Sequence, residues 1–265
     1  MTSNEAAARC LAEDFRQQNG LDLAPVKDVF ELVHATRGVD VISMDAHESE
    51  HGLSMLDPDS GRVVIVVATT SNPMRQRSSV AHELGHVLAG DLERDVTLVP
   101  GDRAPEEIRA DAFARHLLLP LEVVRTRFPR GTEITAAGLS NLVQEFELSP
   151  KIVAIQLREA KLIDEQKCEF WGALSAPQLA TANGWLSQYR ALVDGSQRSR
   201  APQALMSRAV AAYQQGLLGL PELAAWYGQP AEELAEALGT PEDLPAIDDD
   251  WHTDAPLFGD AATTS

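Results

Sequence analysis

Three residues on one predicted helix have the types and spacing of a zinc-binding motif. His82, Glu83 and His86 form an H-E-x-x-H sequence within residues 80–90. Because residues four apart lie one turn above each other on the same helix face, the two imidazoles can bind a single Zn²⁺ ion. Glu83 lies roughly a third of a turn from His82, where it can reach a metal-bound water without binding the ion. We therefore predict that His82 and His86 are metal ligands and that Glu83 is a general base.

The residues around this motif predict a helix that also has a core face. Val80, Leu84, Val87 and Leu88 recur at helical spacing, and Gly85 leaves room for another backbone to come close. A buried helix with two coincidental histidines is the alternative to a metal site. A third ligand distinguishes the two interpretations, because catalytic zinc sites have three protein ligands.

A second predicted helix follows the motif and carries carboxylates that can complete such a site. Glu107 follows His86 after twenty intervening residues, which is enough for a loop and a return to pack against the first helix. Glu107 and Asp111 are four apart and share a face, on or near which Ala110 and Ala114 are small enough for close approach. We predict that Glu107 is the third ligand. Asp111 is predicted to hydrogen-bond a histidine and to hold its ring in place.

The elements before the motif predict an α+β fold. Helical periodicity gives way to β-type runs, of which VVIVVA is the strongest. The predicted helices span residues 4–18, 26–36 and 104–119, and the predicted strands span residues 39–44, 52–56 and 62–69. A strand beside a metal site can bind an extended substrate as one further strand.

Three segments of the chain resemble the ImmA/IrrE family of metallopeptidases. They are HELGHVLAGD, then the pattern E-x-x-A-D-x-F-A from Glu107 to Ala114, then LLLP. The resemblance covers the chain from around residue 25 to residue 165. The second segment is the more diagnostic, because H-E-x-x-H occurs in many unrelated zinc peptidases.

The resemblance implies a zincin-like peptidase domain of the gluzincin type, with a small sheet, the H-E-x-x-H helix and a ligand helix. It implies that His82, His86 and Glu107 bind one zinc ion per chain, although another divalent metal is possible. Glu83 would be the catalytic base, and Asp111 would support a ligand from outside the coordination shell. The family's best-understood members cleave a helix-turn-helix transcriptional repressor, so an XRE-like repressor or an antitoxin is the expected protein substrate.

Four regions are predicted along the chain. The zincin-like metallopeptidase domain occupies residues 1–130, and a helix-turn-helix-like helical domain occupies residues 131–168. Within the second region, residues 132–163 have the pattern of three short helices. A helical C-terminal region at residues 169–240 is followed by an acidic tail at residues 241–265, which is predicted to be disordered.

Charge and composition exclude several classes of function. The net charge is −18, and from residue 209 onward there are eleven acidic residues and no Lys or Arg. Such an acidic chain repels the phosphates of nucleic acids, so direct nucleic-acid binding is not expected. Cys10 and Cys168 are far apart, which argues against a disulfide framework. With no long apolar run and no secretion signal, we expect a cytoplasmic protein without a membrane span.

Two alternatives to a peptidase remain at this level. One is a non-catalytic, zinc-stabilised regulator that binds its repressor without cutting it, and the other is the toxin of a toxin–antitoxin pair. The oxyanion donor is not identified, although His47 and His51, near the predicted sheet, are candidates to approach the cleft. His116 lies half a turn off the face of Glu107 and is predicted to pack or to face solvent.

Overall fold

The computed structural model describes residues 3–46, 52–56, 61–93, 104–129 and 131–239. Its first elements are α1 Ser3–Gln18, α2 Val29–Arg37, β1 Asp40–Met44, β2 Gly52–Leu56, β3 Val63–Ala68, α3 Pro73–Ala89, a 3₁₀ turn Asp91–Glu93, α4 Pro105–Leu118 and α5 Leu121–Arg127. Those that follow are α6 Ala136–Phe146, α7 Pro150–Glu159, α8 Glu165–Gly172, α9 Ala176–Ala182, α10 Leu186–Ser196, α11 Gln203–Gln214, α12 Leu220–Tyr227 and α13 Ala231–Leu238. The predicted α+β class is confirmed.

The three strands form one sheet in the order β1-β3-β2. β1 is parallel to β3, whereas β2 is antiparallel to it. Alternate residues of β3, namely Val63, Ile65 and Val67, are buried, which places one face of the sheet against the core. α3 packs against β3 and β2, so β2 lies beside the H-E-x-x-H helix.

Two buried side chains fix the N-terminal half of α3. The amide Nε2 of Gln76 donates to the carbonyl oxygens of Ala68 at 3.0 Å and Ser196 at 3.1 Å. The guanidinium of Arg77 forms an ion pair with Glu147 at 3.1 Å. α3 is thereby attached both to the sheet and to the helices that follow it.

A buried arginine attaches α1 to the C-terminal end of α4. Arg16 is 4 % exposed and donates to the carbonyl oxygens of Leu117 at 2.5 Å, Asp22 at 2.9 Å and Ala24 at 2.6 Å. Burial lowers the pKa of Arg16 to about 10, which still leaves it charged at neutral pH. The cation therefore satisfies a carbonyl at the end of α4 that has no partner within the helix.

The residues around His116 support a prediction about acid stability. Glu5 accepts hydrogen bonds from His116 and Arg115, each at 2.8 Å, and these contacts lower its pKa to about 2 although burial opposes the shift. Because the folded-state pKa lies below the ordinary value of 4.5, this stabilisation is present above pH 4.5 and is lost as the pH falls towards 2. The Glu5→Gln variant should lose about 1–3 kcal/mol of unfolding free energy at pH 7, as measured by urea titration.

The difference between wild type and Glu5→Gln should shrink steadily between pH 4.5 and pH 2.5. Glu13→Gln is the matched control on the same helix, because the Glu13 side chain is 61 % exposed and should change stability by less than about 0.5 kcal/mol. A Glu5→Gln penalty that is the same at both ends of this pH range would contradict the assignment.

Residues 132–163 differ in one respect from the prediction. Residues 132–163 contain two helices, α6 and α7, and not three. The chain ahead of α6 does not form a helix turn, because Gly131 has a φ of 88° and Thr135 is an extended N-cap whose hydroxyl accepts from Gly138 N. α6 and α7 are joined by three residues that begin with Glu147 in the left-handed region at φ 52°. That a helix-turn-helix domain lies here stays a prediction.

Two compact units make up the chain, residues 1–200 and 201–265. In the first, the buried side chains form one continuous core that runs from Ala8 in α1 to Trp185 just before α10. The predicted boundaries after residues 130 and 168 both lie within this unit and stay predictions.

In the second unit, α11, α12 and α13 pack around a small core of their own, Met206, Ala209, Leu223, Ala224 and Leu234. The predicted tail, residues 241–265, lies outside the described residues. No helix in the described ranges is long and apolar enough to cross a membrane.

Candidate metal centre

The two histidines of the motif point their Nε2 atoms at one place. His82 and His86 lie one turn apart on α3, and their Nε2 atoms are 3.1 Å from each other. Glu107 lies on α4, and its Oε2 and Oε1 atoms are 3.3 Å from the Nε2 atoms of His82 and His86, respectively. One potential ligand atom from each of the three residues lies within 4.8 Å of the others. The structure thus brings together the three predicted ligands.

Gly85 allows α4 to come close enough for this convergence. A Cβ added at Gly85 would lie 3.3 Å from the Cα of Ala110 and 3.0 Å from Cδ1 of Phe113. Both of those residues are buried. A larger residue at position 85 would separate α3 from α4 and move Glu107 away from the histidines. The close backbone approach expected at Gly85 is present, and the partner is α4.

Each histidine contacts a different carboxylate through its second ring nitrogen, Nδ1. The Nδ1 atom of His82 lies 2.8 Å from Asp111, the contact predicted for that residue, and the Nδ1 atom of His86 lies 3.0 Å from Asp91. Asp91 also accepts a hydrogen bond from Arg109 on α4 at 2.5 Å. A carboxylate beside Nδ1 favours the tautomer that carries its hydrogen on Nδ1, and this tautomer leaves the lone pair of Nε2 for a metal ion.

The donor set fits a divalent cation. Two imidazole lone pairs and a carboxylate that face one point repel each other unless positive charge lies between them. Burial disfavours the charged form of His82, but the hydrogen bond to Asp111 and the nearby carboxylates outweigh it and raise the pKa of His82. Two nitrogens and one oxygen, with room for a fourth ligand, are the usual set for catalytic zinc.

The carboxylate of Glu83 lies against β2. Glu83 is 7 % exposed, and its Oε2 accepts a hydrogen bond from the hydroxyl of Ser54 at 2.8 Å. At Gly52 an added Cβ would lie 2.8 Å from Oε1 and 3.0 Å from Cγ of the same side chain. A glycine and a serine at alternate positions of β2 therefore make room for the glutamate and orient it.

Ser54 and Asp91 are the site residues that the sequence analysis missed. Asp91 follows Gly90, which ends α3 in the left-handed conformation at φ 67° and turns the chain back towards His86. The Gly90-Asp91 pair directly after α3 is the sequence signal that could have identified it. Ser54 has a weaker signal, its alternation with Gly52 in the predicted strand at residues 52–56.

Among the described residues, no further histidine joins the site. His116 is buried and pairs with Glu5 on α1, which agrees with its predicted packing role. The candidates His47 and His51 lie outside the described residues.

The contact between Asp91 and His86 leads to a testable prediction. The Asp91→Asn variant should bind zinc about 10–100-fold more weakly, because the amide no longer fixes the tautomer or the ring orientation of His86. Competition with a chromophoric chelator measures the affinity. Asp194→Asn on α10, an exposed position, is the matched control and should bind as wild type does. Unchanged affinity in Asp91→Asn would show that Asp91 has no part in metal binding.

Comparison with known proteins identifies the segment that carries these residues. Residues 35–158 match the family model described as the IrrE N-terminal-like domain, Peptidase_M78. No curated protein matches the chain. The matched segment contains the whole sheet together with α3 and α4, and it therefore includes every residue of the site described above. The chain thus carries a metallopeptidase-like domain of the Peptidase_M78 family, IrrE N-terminal-like, in agreement with its resemblance to the ImmA/IrrE metallopeptidases.

Proposed function

We propose that the chain is a zinc-dependent endopeptidase that cleaves a protein partner, an XRE-like helix-turn-helix repressor or an antitoxin. One observation carries the catalytic part of this proposal. His82, His86 and Glu107 converge on one point, and Glu83, the residue next to His82 on α3, has its carboxylate against β2, hydrogen-bonded to Ser54. These are the three ligands and the base that hydrolysis of a peptide bond requires.

The residues divide the chemistry between them. His82, His86 and Glu107 would hold a divalent ion, which would supply the Lewis acidity that acidifies water and polarises a peptide carbonyl. Glu83 accepts the proton of the attacking water and later donates it to the departing amine. The hydrogen bond from Ser54 engages Oε2, so Oε1 is the oxygen available for proton transfer. Asp111 and Asp91 keep the two imidazoles oriented while the peptide bond is hydrolysed.

Strand β2 gives an extended substrate a place to bind. One edge of β2 pairs with β3, and no other strand of the described residues pairs with its second edge. A peptide segment that adds to this edge gains backbone hydrogen bonds and lies beside Glu83, which Ser54 holds. The substrate backbone is thereby aligned along the cleft before reaction.

The proposed partner follows from the family resemblance and agrees with the charge of the chain. An acidic chain is poorly suited to bind an operator itself, whereas it can bind a basic DNA-binding protein. The test is to mix the metal-loaded chain with the helix-turn-helix protein encoded by a neighbouring gene and to record intact masses. We expect two fragments whose masses add up to that of the partner plus one water.

A partner that leaves its operator while its mass is unchanged would favour the non-catalytic regulator. Growth arrest on expression of the chain alone, without cleavage of the partner, would favour the toxin. A chelator should stop the cleavage, and stoichiometric zinc should restore it.

A further inference from the structure

The two faces of β2 have different chemistry. Gly52 and Ser54 lie on the face that contacts Glu83. Leu53 and Met55 alternate with them and therefore lie on the opposite face of the sheet. Both residues are unusually exposed for apolar residues in a strand, at 55 % and 46 %.

Leu53 ends an apolar row that crosses the sheet, whereas Met55 ends a row of two apolar residues, Met55 and Val64, that is followed by Asp40 on β1. Leu53 lies opposite Val66, which in turn lies opposite Ile42 on β1. In the neighbouring row, Met55 lies opposite Val64. Both rows stop at the edge of β2 that has no strand partner among the described residues. An added strand would continue the rows by one more side chain each.

We infer that Leu53 and Met55 determine specificity, selecting substrate segments that carry apolar side chains two residues apart. This inference rests on the proposed peptidase function and adds the class of substrate segment. In a strand paired to β2, the residues opposite Leu53 and Met55 share their face, where cross-strand side chains come into contact. Apolar side chains at those two positions cover surface that is otherwise exposed to water.

The substrate residue between these two positions faces the opposite side of the sheet. It lies across from Ser54 and therefore faces the side of the sheet on which Glu83 and the metal ligands lie. The selected pattern is thus apolar–x–apolar, with the middle residue facing the polar cleft. A shift of the substrate by one residue reverses the faces and turns the two apolar side chains away from Leu53 and Met55.

Peptide binding tests this inference without catalysis. The protein is the full chain with Glu83→Gln, and the probes are two fluorescent ten-residue peptides that differ only at two positions, two residues apart. One peptide carries Leu at both positions and the other carries Ser. Fluorescence anisotropy should show that the Leu peptide binds about tenfold more tightly.

Variants of the sheet assign this preference to the two residues. The double variant Leu53→Thr, Met55→Thr keeps residues that suit a strand and should bind both peptides equally. Met44→Thr is the matched control, since Met44 is exposed on β1 of the same sheet but β3 separates it from β2. It should keep the tenfold preference.

A charge variant keeps the test valid if the double variant is poorly folded. Leu53→Lys should favour a peptide that has Glu at one of the two positions, because opposite charges then face each other across the strands. Equal binding of the Leu and Ser peptides, or no binding of either, would overturn the inference. A preference that persists in the double variant would overturn it as well. None of these outcomes affects the cleavage assay with a protein partner, which tests the peptidase function separately.

Discussion

The Glu83→Gln variant is expected to cleave its substrate about 10²–10⁴-fold more slowly than wild type while it keeps one metal ion per chain. Glutamine preserves the shape of the side chain, so the hydrogen bond from Ser54 can still form. An amide cannot accept the proton from water, so the general base is lost. The ligands His82, His86 and Glu107 are untouched. Substrate mass spectrometry gives the rate, and elemental analysis gives the metal content.

This result separates the enzyme from the non-catalytic regulator. A regulator that only binds its partner needs the metal but has no need of Glu83. If Glu83→Gln cleaves the partner at the wild-type rate, Glu83 is not the base. If the variant still controls the repressor in cells without cutting it, the peptidase proposal is wrong.

The Glu107→Gln variant is expected to lose the metal and the activity together. Of the three candidate ligands, Glu107 is the one on α4, and its carboxylate oxygens lie 3.3 Å from the two Nε2 atoms. An amide oxygen carries no net charge, so two neutral imidazoles would have to hold the ion without an anionic partner. The loss of affinity should exceed the roughly 10–100-fold that removal of an orienting carboxylate costs. Chelator competition measures it on the same scale as Asp91→Asn.

Glu106→Gln is the matched control for this substitution. Glu106 lies in the same first turn of α4, and its substitution by Gln removes the same charge. It is not one of the three convergent residues. It should retain both metal and activity. Wild-type zinc affinity in Glu107→Gln would remove Glu107 from the ligand set and would leave the third ligand unassigned.

The convergence of the two motif histidines was predictable because helical periodicity is local. Residues four apart on a helix share a face wherever the helix lies, so the convergence of His82 and His86 follows from spacing alone. Glu107 and Asp111 were found in the same way, as a pair on a second helix. The prediction that the second helix returns to the first rested on the need for a third ligand. In the structure, the small residues Gly85 and Ala110 allow the two helices to come close.

The contacts that were missed come from parts of the chain where periodicity carries no information. Ser54 reaches Glu83 across 29 positions of sequence and from a strand, so nothing in either segment alone pairs them. Asp91 is only five residues from His86, but it lies beyond the end of α3, where the left-handed Gly90 redirects the chain. Arg16 was also not expected to be buried, because its partners are carbonyl oxygens, which every residue has.

The most direct test of the metal centre is X-ray absorption spectroscopy of the zinc-loaded full chain. The structure predicts one zinc ion per chain with two imidazole nitrogens and at least one carboxylate oxygen, at about 2.0–2.2 Å. The His86→Ala variant should lose the bound zinc, because it removes one of the three convergent ligand atoms. A zinc content far below one per chain, or a ligand shell without histidine, would contradict the assignment of His82, His86 and Glu107 as a metal centre.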